Sequence, residues 1–324
     1  MQPLLEVKDL RVHYHIPQGP VRAVEDVSFS LDPGERLGLM GESGSGKSTA
    51  ALSLMRLIKP PGRIESGEVL LDGLNIMSLP PERMQQVRLA QIALISQGAM
   101  NSLNPVMRVR DQVIDGMRSH GIRESRRGWQ DRVRALLGRV GLAPGVADSY
   151  PHELSGGMKQ RVCIAIAISL EPRVIIADEP TSALDVVVQR RVMETLRQVQ
   201  EDIGAAVILI GHDMGLMAQF VDRVAVMYAS RLVEEGSARD IFHQPQHPYT
   251  QLLVASLPSL EKKGEFQGAP GSPPSLLDLP SGCVFHPRCP YVMERCTHEV
   301  PPAFQADGRH WAACFLLESG SGPS

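Results

Sequence analysis

The sequence predicts an α/β fold with an antiparallel β subdomain, a helical subdomain and a small cysteine-rich C-terminal region. Three changes of pattern along the 324 residues lead to this expectation. Residues 4–40 alternate apolar and polar side chains, residues 107–148 follow a charged helical pattern, and the chain beyond Pro258 becomes rich in proline, glycine and cysteine. Between these segments lie short apolar runs separated by helical stretches, which is typical of a mostly parallel sheet covered on both faces.

Local patterns predict the individual elements. Turn-forming residues at 17–20 and 32–34 divide the N-terminal segment into strands, and residues 37–40 form a further short apolar run. Residues 49–55 behind that run have the composition of a helix. Three later apolar runs predict buried strands, at residues 174–177, 207–210 and 224–227.

Composition and charge narrow the class of protein. The formal net charge is −3 and lysine and arginine form no long stripe, so nucleic acid is not expected as a partner. The longest apolar runs, 162–170 and 205–210, are shorter than the roughly 18 residues needed to span a bilayer. Charge at Glu6, Lys8 and Asp9 precedes any apolar stretch, so we expect no secretory signal. Five cysteines without an export signal favour a cytoplasmic location.

The octapeptide at 41–48, Gly-Glu-Ser-Gly-Ser-Gly-Lys-Ser, matches the pattern G-x-x-x-x-G-K-[ST] at every position. Glycines in such a loop let consecutive backbone N–H groups point at nucleotide phosphates, and the following helix directs its positive end at them. Lys47 adds a point charge, and the Ser48 hydroxyl is expected to hold Mg²⁺. A glycine-rich turn without a ligand would explain neither residue. The expected ATP contacts are Gly41, Ser43, Gly44, Ser45, Gly46, Lys47, Ser48 and Thr49.

A second acidic element follows the apolar run at 174–177. Asp178 lies at the predicted C-terminal end of that strand, the edge where α/β sheets bind ligands, and can orient Mg²⁺ or its water shell. Glu179 comes next, and a carboxylate there can accept a proton from the water that attacks the γ-phosphate. The alternative is that both are merely charged residues at the start of a loop. We therefore predict Asp178 as a Mg²⁺ ligand and Glu179 as the general base.

The pentapeptide at 154–158, Leu-Ser-Gly-Gly-Met, taken with the phosphate loop and the acidic strand end, resembles the signature of the ATPase subunits of ABC transporters. The resemblance covers essentially the whole chain and implies a P-loop NTPase fold of the ABC type. In that family the signature contacts the γ-phosphate of ATP bound to the opposite subunit. It therefore implies a contact in trans for Ser155, Gly156 and Gly157.

Further roles follow from the same resemblance. Gln97 resembles the family's Q-loop glutamine, which senses Mg²⁺ and the attacking water. Asp185 belongs to a Ser-Ala-Leu-Asp segment that resembles the D-loop at the dimer seam, and is assigned a trans contact. His212 resembles the switch histidine that contacts the γ-phosphate and holds Glu179, although a lone histidine after a strand is more often structural. Tyr14 is the candidate for the aromatic ring that stacks on adenine.

The C-terminal part resembles that of peptide-importer ATPases, whose tail signature is matched by His-Pro-Tyr-Thr at 247–250. The resemblance implies an ATPase domain over 1–257 with a helical subdomain at about 98–160, a Pro/Gly linker over 258–282 and a cysteine region over 283–324. It also implies three kinds of partner: a second, homologous ABC ATPase in a heterodimer, two transmembrane permease subunits and an extracytoplasmic solute-binding protein. The chain is then peripheral, at the cytoplasmic face of the inner membrane.

Four of the five cysteines cluster in that region, at Cys283, Cys289, Cys296 and Cys314. Clustered cysteines in a reducing compartment indicate a metal more often than disulfides. The irregular spacing suits an iron–sulfur cluster, and some peptide-importer ATPases are similar in carrying a [4Fe–4S] cluster there. Structural Zn²⁺ is the alternative, in which His286 or His310 replaces a thiolate, and disulfides are a third. The fifth cysteine, Cys163, is expected to be a small core residue.

These observations favour an ATP-hydrolysing subunit of an ABC importer for di- or oligopeptides or a related small solute. The alternative is a soluble ABC ATPase not coupled to transport, which remodels ribosomes or nucleic acid or assembles iron–sulfur clusters. Such remodelling proteins generally carry two cassettes or a long coiled arm, whereas this chain carries one phosphate loop and one signature.

Overall fold

The computed structural model describes residues 2–98, 102–256 and 271–318. The predicted linker therefore lies partly outside the described residues, at 258–270, as do residue 257 and the last six residues of the predicted cysteine region. The strands are β1 Leu5–Ile16, β2 Gly19–Leu31, β3 Arg36–Met40, β4 Gly62–Leu71, β5 Leu74–Asn75, β6 Ile92–Ile95, β7 Val174–Asp178, β8 Ala206–Ile210, β9 Arg223–Tyr228, β10 Arg231–Ser237, β11 Phe304–Asp307 and β12 His310–Ala312. The α-helices are α1 Lys47–Leu54, α2 Pro81–Val87, α3 Val109–Ser119, α4 Arg126–Arg139, α5 Gly156–Ala167, α6 Val186–Ile203, α7 Met214–Phe220, α8 Ala238–His243 and α9 Pro248–Ala255.

The chain divides into two compact units that are not continuous in sequence. The first unit holds residues 1–31, 36–77 and 210–324, and the second holds residues 32–35 and 78–209. Within the described ranges, no helix combines the length and the hydrophobicity that crossing a membrane requires.

The first unit contains the predicted antiparallel layer, a four-stranded sheet in the order β2-β1-β4-β5. The third N-terminal strand, β3, is not part of this layer, because it pairs in parallel with β9. The strand order there continues from β9 to β10, β12 and β11, all antiparallel, so that two strands of the cysteine region extend the sheet. The core of this unit contains fully buried side chains such as Leu37, Tyr228 and Phe285.

The second unit contains the predicted buried strands at 174–177 and 207–210, which are confirmed as β7 and β8. Every residue of both strands is buried, as a continuous apolar run predicts for strands covered on both faces. β6 pairs in parallel with β7, and β8 is the next strand on the other side. The helical pattern at 107–148 is confirmed as α3 and α4. Helix α4 begins where Ser125 accepts the N–H of Gly128.

Candidate functional site

The phosphate loop joins β3 to α1, as the sequence predicts. Two of its glycines have a conformation and surroundings that exclude any side chain. Gly41 has φ 148°, and a Cβ there would lie 2.1 Å from the carbonyl oxygen of Met227. Gly46 precedes α1 with φ 103°, and a Cβ there would lie 2.1 Å from the carbonyl oxygen of Ala23. The loop therefore keeps its shape because the surrounding backbone approaches it closely.

Lys47 is buried inside this loop, with 7% of its surface exposed. Its ammonium donates to the carbonyl oxygens of Gly41 and Glu42, both at 2.8 Å, and to the Ser45 hydroxyl at 3.2 Å. Ser48 and Thr49 follow on the first turn of α1. The structure thus places the cation, the hydroxyls and the positive end of a helix together, the combination that binds phosphate groups.

Two further predicted residues belong to the first unit. Tyr14 on β1 has its hydroxyl 3.5 Å from the Thr49 hydroxyl, and its ring packs against Gly62, where a Cβ would come within 2.7 Å of it. The ring therefore lies beside the phosphate-loop helix, and its role in stacking on adenine stays a prediction. His212 lies two residues after the end of β8 and precedes α7, whose N-terminus is capped by Asp213.

In the second unit the structure brings Gln97 and Glu179 together. The Gln97 side-chain amide donates to the Glu179 carboxylate at 2.8 Å. Asp178 ends β7 and is buried, with 4% of its surface exposed. Glu179 itself has φ 46°, a left-handed conformation that is uncommon for a non-glycine residue and is found at functional sites. A glutamate that could be a plain loop residue is thus held in a strained conformation and paired with the predicted water-sensing glutamine.

The signature and the D-loop also meet in the second unit. Ser155 caps α5 by accepting the N–H of Met158 at 3.4 Å, and Asp185 caps α6 by accepting the N–H groups of Val187 and Val188. A Cβ on Gly157 would lie 2.4 Å from Cγ1 of Val188, so the two helix starts are in close contact. Capping by Ser155 and Asp185 is a local function that the sequence analysis did not assign to either side chain.

The four clustered cysteines converge in the first unit. Cys283, Cys289, Cys296 and Cys314 line one small cavity together with aromatic and proline side chains. All five cysteines of the chain are free thiols in this structure. Burial raises the pKa of Cys283 to about 11 and that of Cys314 to about 12. Among the described residues, no group of His, Cys, Asp and Glu is arranged as a metal site.

Cys163 lies on α5, away from this cluster in the sequence. Its side chain is buried and burial raises its thiol pKa to about 12, so the prediction of a small core residue is confirmed.

The phosphate loop makes a set of contacts with the C-terminal region that the sequence did not predict. Arg288 makes two hydrogen bonds to the Glu42 carboxylate, at 2.9 and 3.1 Å, and a third to the Tyr228 hydroxyl at 3.1 Å. The N–H of Glu42 donates to the Tyr249 hydroxyl at 2.8 Å. No local pattern pairs residues so far apart in the chain. One sequence feature could have indicated a distant acidic partner: Arg288 lies inside an otherwise apolar and cysteine-rich stretch, and a buried guanidinium needs such a partner.

The chain has a glycine-rich loop, a buried lysine, an acidic strand end and a signature sequence. These features define an ATP-binding cassette. Comparison with known proteins agrees. Residues 24–182 match the family model described as ABC transporter, and residues 233–296 match the model described as oligopeptide/dipeptide transporter, C-terminal region. The chain belongs to the family of ABC transporter ATPases, in its oligopeptide/dipeptide branch.

The similarity to curated proteins and solved structures extends over most of the chain. It is 45% identical to the oligopeptide transport ATP-binding protein OppD of Salmonella typhimurium, over 96% of this chain and 93% of the relative. The dipeptide transport ATP-binding protein DppD of Haemophilus influenzae is 42% identical, over 98% and 97% of the two chains. The dimeric structure of MJ0796, a bacterial ABC transporter cassette, is similar with a TM-score of 0.65 and 28% identity, and covers 72% of this chain and 99% of its own. These relatives favour transport over the soluble alternatives.

Proposed function

We propose that this chain hydrolyses ATP to drive the import of di- or oligopeptides, or of a related small solute. It does so as a peripheral subunit on the cytoplasmic face of the membrane, together with two permease subunits and a solute-binding protein. One observation carries the solute class: residues 233–296 match the family model described as oligopeptide/dipeptide transporter, C-terminal region, separately from the ABC transporter match at 24–182. The nearly full-length similarity to oligopeptide and dipeptide transport proteins supports the same proposal.

The proposed chemistry assigns a task to each site residue. Lys47 and the loop N–H groups bind the phosphates and neutralise the charge that develops on them. Glu179 accepts a proton from the attacking water, and its bond from Gln97 orients the carboxylate for that task. His212 donates to the γ-phosphate. The residues proposed as Mg²⁺ ligands are Ser48 in the first unit and Gln97 and Asp178 in the second. Each offers an oxygen atom, the ligand type that this ion prefers, and Mg²⁺ would supply charge neutralisation.

Substitution of the proposed base tests the hydrolysis mechanism. Glu179→Gln keeps the shape of the side chain and an oxygen that can accept the Gln97 bond, but the amide cannot take a proton. We expect ATP binding close to that of the wild type and hydrolysis slowed by about 10²–10⁴-fold in the assembled transporter. Glu201→Gln, the same change at an exposed position on α6, is the matched control and should hydrolyse ATP normally. Normal turnover in Glu179→Gln would remove this residue from the role of base.

Uptake measurements test the solute class. Cells that lack this chain should lose accumulation of radiolabelled di- and tripeptides, and the wild-type chain but not Glu179→Gln should restore it. The purified transporter should hydrolyse ATP faster when its binding protein is loaded with peptide. Unchanged peptide uptake in the deleted strain, together with ATPase activity that no peptide stimulates, would contradict peptide import while leaving the ATPase assignment standing.

We further propose that the chain pairs with a second, homologous ATPase and that its signature serves ATP bound to that partner. One observation supports a covered surface beside the signature: the adjacent Val186 and Val187 at the start of α6 are 80% and 74% exposed. Contiguous exposed apolar side chains mark interaction sites. Ser155→Arg should therefore stop hydrolysis at the partner's site while ATP still binds at this chain's Lys47. Full ATPase activity of a homodimer of this chain alone would contradict the requirement for a different partner.

We also propose that Cys283, Cys289, Cys296 and Cys314 hold a [4Fe–4S] cluster that stabilises the C-terminal region. Four thiols lining one cavity supply the right number and type of donors for such a cluster. Cysteine ligands must be deprotonated, so binding of a cluster would have to offset the cost of forming thiolates at these buried positions. Its role there is structural, since ligation of four separate chain positions restricts the region.

Metal analysis of anaerobically purified protein distinguishes the options. We expect about four irons and four sulfides per chain, with broad absorbance in the visible range, and loss of both in Cys296→Ser. Cys163→Ser, which changes the buried cysteine of α5, is the matched control and should retain iron. Colourless protein with one zinc per chain would replace the cluster by structural Zn²⁺, and disulfides in cytoplasmic material would contradict both.

A further inference from the structure

Glu42 is the second residue of the phosphate loop and is fixed at three separate points. Its carbonyl oxygen accepts the Lys47 ammonium at 2.8 Å, and its N–H donates to the Tyr249 hydroxyl at 2.8 Å. Its carboxylate takes two parallel hydrogen bonds from Arg288. The main chain of this residue therefore contacts the phosphate-binding cation on one side, while its side chain contacts the C-terminal region on the other.

Arg288 lies inside the cysteine region, on the short 3₁₀ helix His286–Arg288 between Cys283 and Cys289. It is buried, with 8% of its surface exposed, and its guanidinium lies 5.7 Å from the centre of the Tyr228 ring. The Tyr228 ring in turn contacts Phe285 at a centroid distance of 5.1 Å. The packing of the cysteine region thus fixes the side chain of Arg288, which cannot change rotamers as an exposed arginine can.

Two properties make this link more than incidental packing. A two-pronged bond between a guanidinium and a carboxylate fixes both orientation and distance, and it is stronger when it is shielded from water. Tyr249, which holds the N–H of Glu42, belongs to the tail signature and its ring contacts both Tyr228 and Phe285. Tyr228, Tyr249 and Phe285 thus form one aromatic cluster. The main chain of Glu42 is held by Tyr249 of this cluster, and its side chain is held by Arg288, which bonds the Tyr228 hydroxyl.

We propose that Arg288 is a positioning residue of the nucleotide site, which holds Glu42 and through it the phosphate loop and Lys47 in the geometry that receives phosphate. Affinity for ATP then depends on the folded state of the cysteine region. The inference rests on the ATPase activity of the family and needs a folded cysteine region, with or without a bound metal. It goes beyond the proposed function, in which the cysteines only stabilise their own segment.

Nucleotide affinity of the full-length chain tests the proposal. We expect Arg288→Met to weaken binding of ATP, measured by calorimetry, by about tenfold, since a charged group loses its partner next to the loop. Arg288→Lys keeps the charge but not the two-pronged geometry, and its dissociation constant should lie between those of Arg288→Met and the wild type. The matched control is Arg295→Met, in the same region, where the arginine Cζ lies 3.8 Å from the centre of the Phe315 ring and the guanidinium pairs with the exposed Glu299 and Glu318. This control should bind ATP as the wild type does.

A double-mutant cycle separates positioning from a general loss of stability. Glu42→Gln changes no residue of the cysteine region, so it repeats the test even where Arg288→Met loosens that region. Both single variants and the double variant should weaken ATP binding by similar factors, because each removes the same bond. In the assembled transporter the KM for ATP should rise while kcat stays within about twofold, as expected when ground state and transition state lose the same contact. Wild-type affinity in Glu42→Gln, or effects that multiply in the double variant, would overturn the proposal.

Discussion

His247 makes the C-terminal helix sensitive to acid, for a reason that its contacts reveal. Its side chain is 1% exposed, and Nδ1 accepts the N–H of Tyr249 at 3.1 Å as the cap of α9. Nδ1 can do so only while it carries no proton. The charged group nearest to it in the hydrogen-bond network is Glu234, which accepts the His247 backbone N–H at 2.9 Å and also bonds His310 at 2.7 Å.

Burial lowers the pKa of His247 from 6.5 to about 4, although the charge of Glu234 acts in the opposite direction. An unfolded chain titrates this histidine near 6.5, so the unfolded state binds more protons between pH 6.5 and 4. The contribution of His247 to stability is therefore present above that window and is lost as the pH falls through it. From pH 7 to pH 5 the loss is about 2 kcal/mol of unfolding free energy.

Urea unfolding at pH 7 and pH 5, followed by circular dichroism, measures this loss. His247→Asn keeps a side-chain oxygen that can cap α9 but cannot titrate, so it isolates the histidine from all other groups. We expect the wild type to lose about 2 kcal/mol more than the variant between the two pH values. Equal losses in the two proteins would refute the assignment of a depressed pKa to His247.

Two further predictions concern glycines. Gly46→Ala should weaken ATP binding, measured by titration, by at least about tenfold, because the new Cβ meets the backbone of Ala23. Gly44→Ala is the control: this glycine also has a positive φ (79°) but has open space around it, so its effect should be smaller. Gly157→Ala should lower the unfolding free energy by about 1–3 kcal/mol through its clash with Val188, and adding Val188→Ala should recover part of it in thermal unfolding. Failure of that second change to recover any stability would show that the clash is not the cause.

Patterns of the local sequence were sufficient for much of the fold. The runs at 174–177, 207–210 and 224–227 are strands because each is apolar throughout and bounded by turn residues or helices. The pairing of the third N-terminal strand could not be predicted from the local sequence. β3 lies outside the antiparallel layer because its partner, β9, comes more than 180 residues later, and no local pattern reveals a pairing of that range. The same limit hides the boundary of the two units, each of which is assembled from separate segments.

For the site, the sequence predicted the residues but not the bonds between them. Motif spacing identified Gln97 and Glu179, and the structure adds their hydrogen bond and the left-handed backbone of Glu179. Motif matching treated Asp185 only as a trans contact, since helix capping depends on where α6 begins. The bond between Glu42 and Arg288 joins residues 246 positions apart and depends on how the cysteine region packs, which residue types alone do not encode.

The second position of the phosphate-loop pattern is written as a free position, because nucleotide binding by such loops uses its backbone and not its side chain. In this chain that freedom is removed by the C-terminal region. A serine or alanine at position 42 would satisfy the pattern and yet leave the guanidinium of Arg288 buried without its acid. The C-terminal region therefore cannot be transferred alone to another cassette, because the chimera also needs a glutamate at the position of Glu42. Homologous chains should gain or lose Glu42 and Arg288 together.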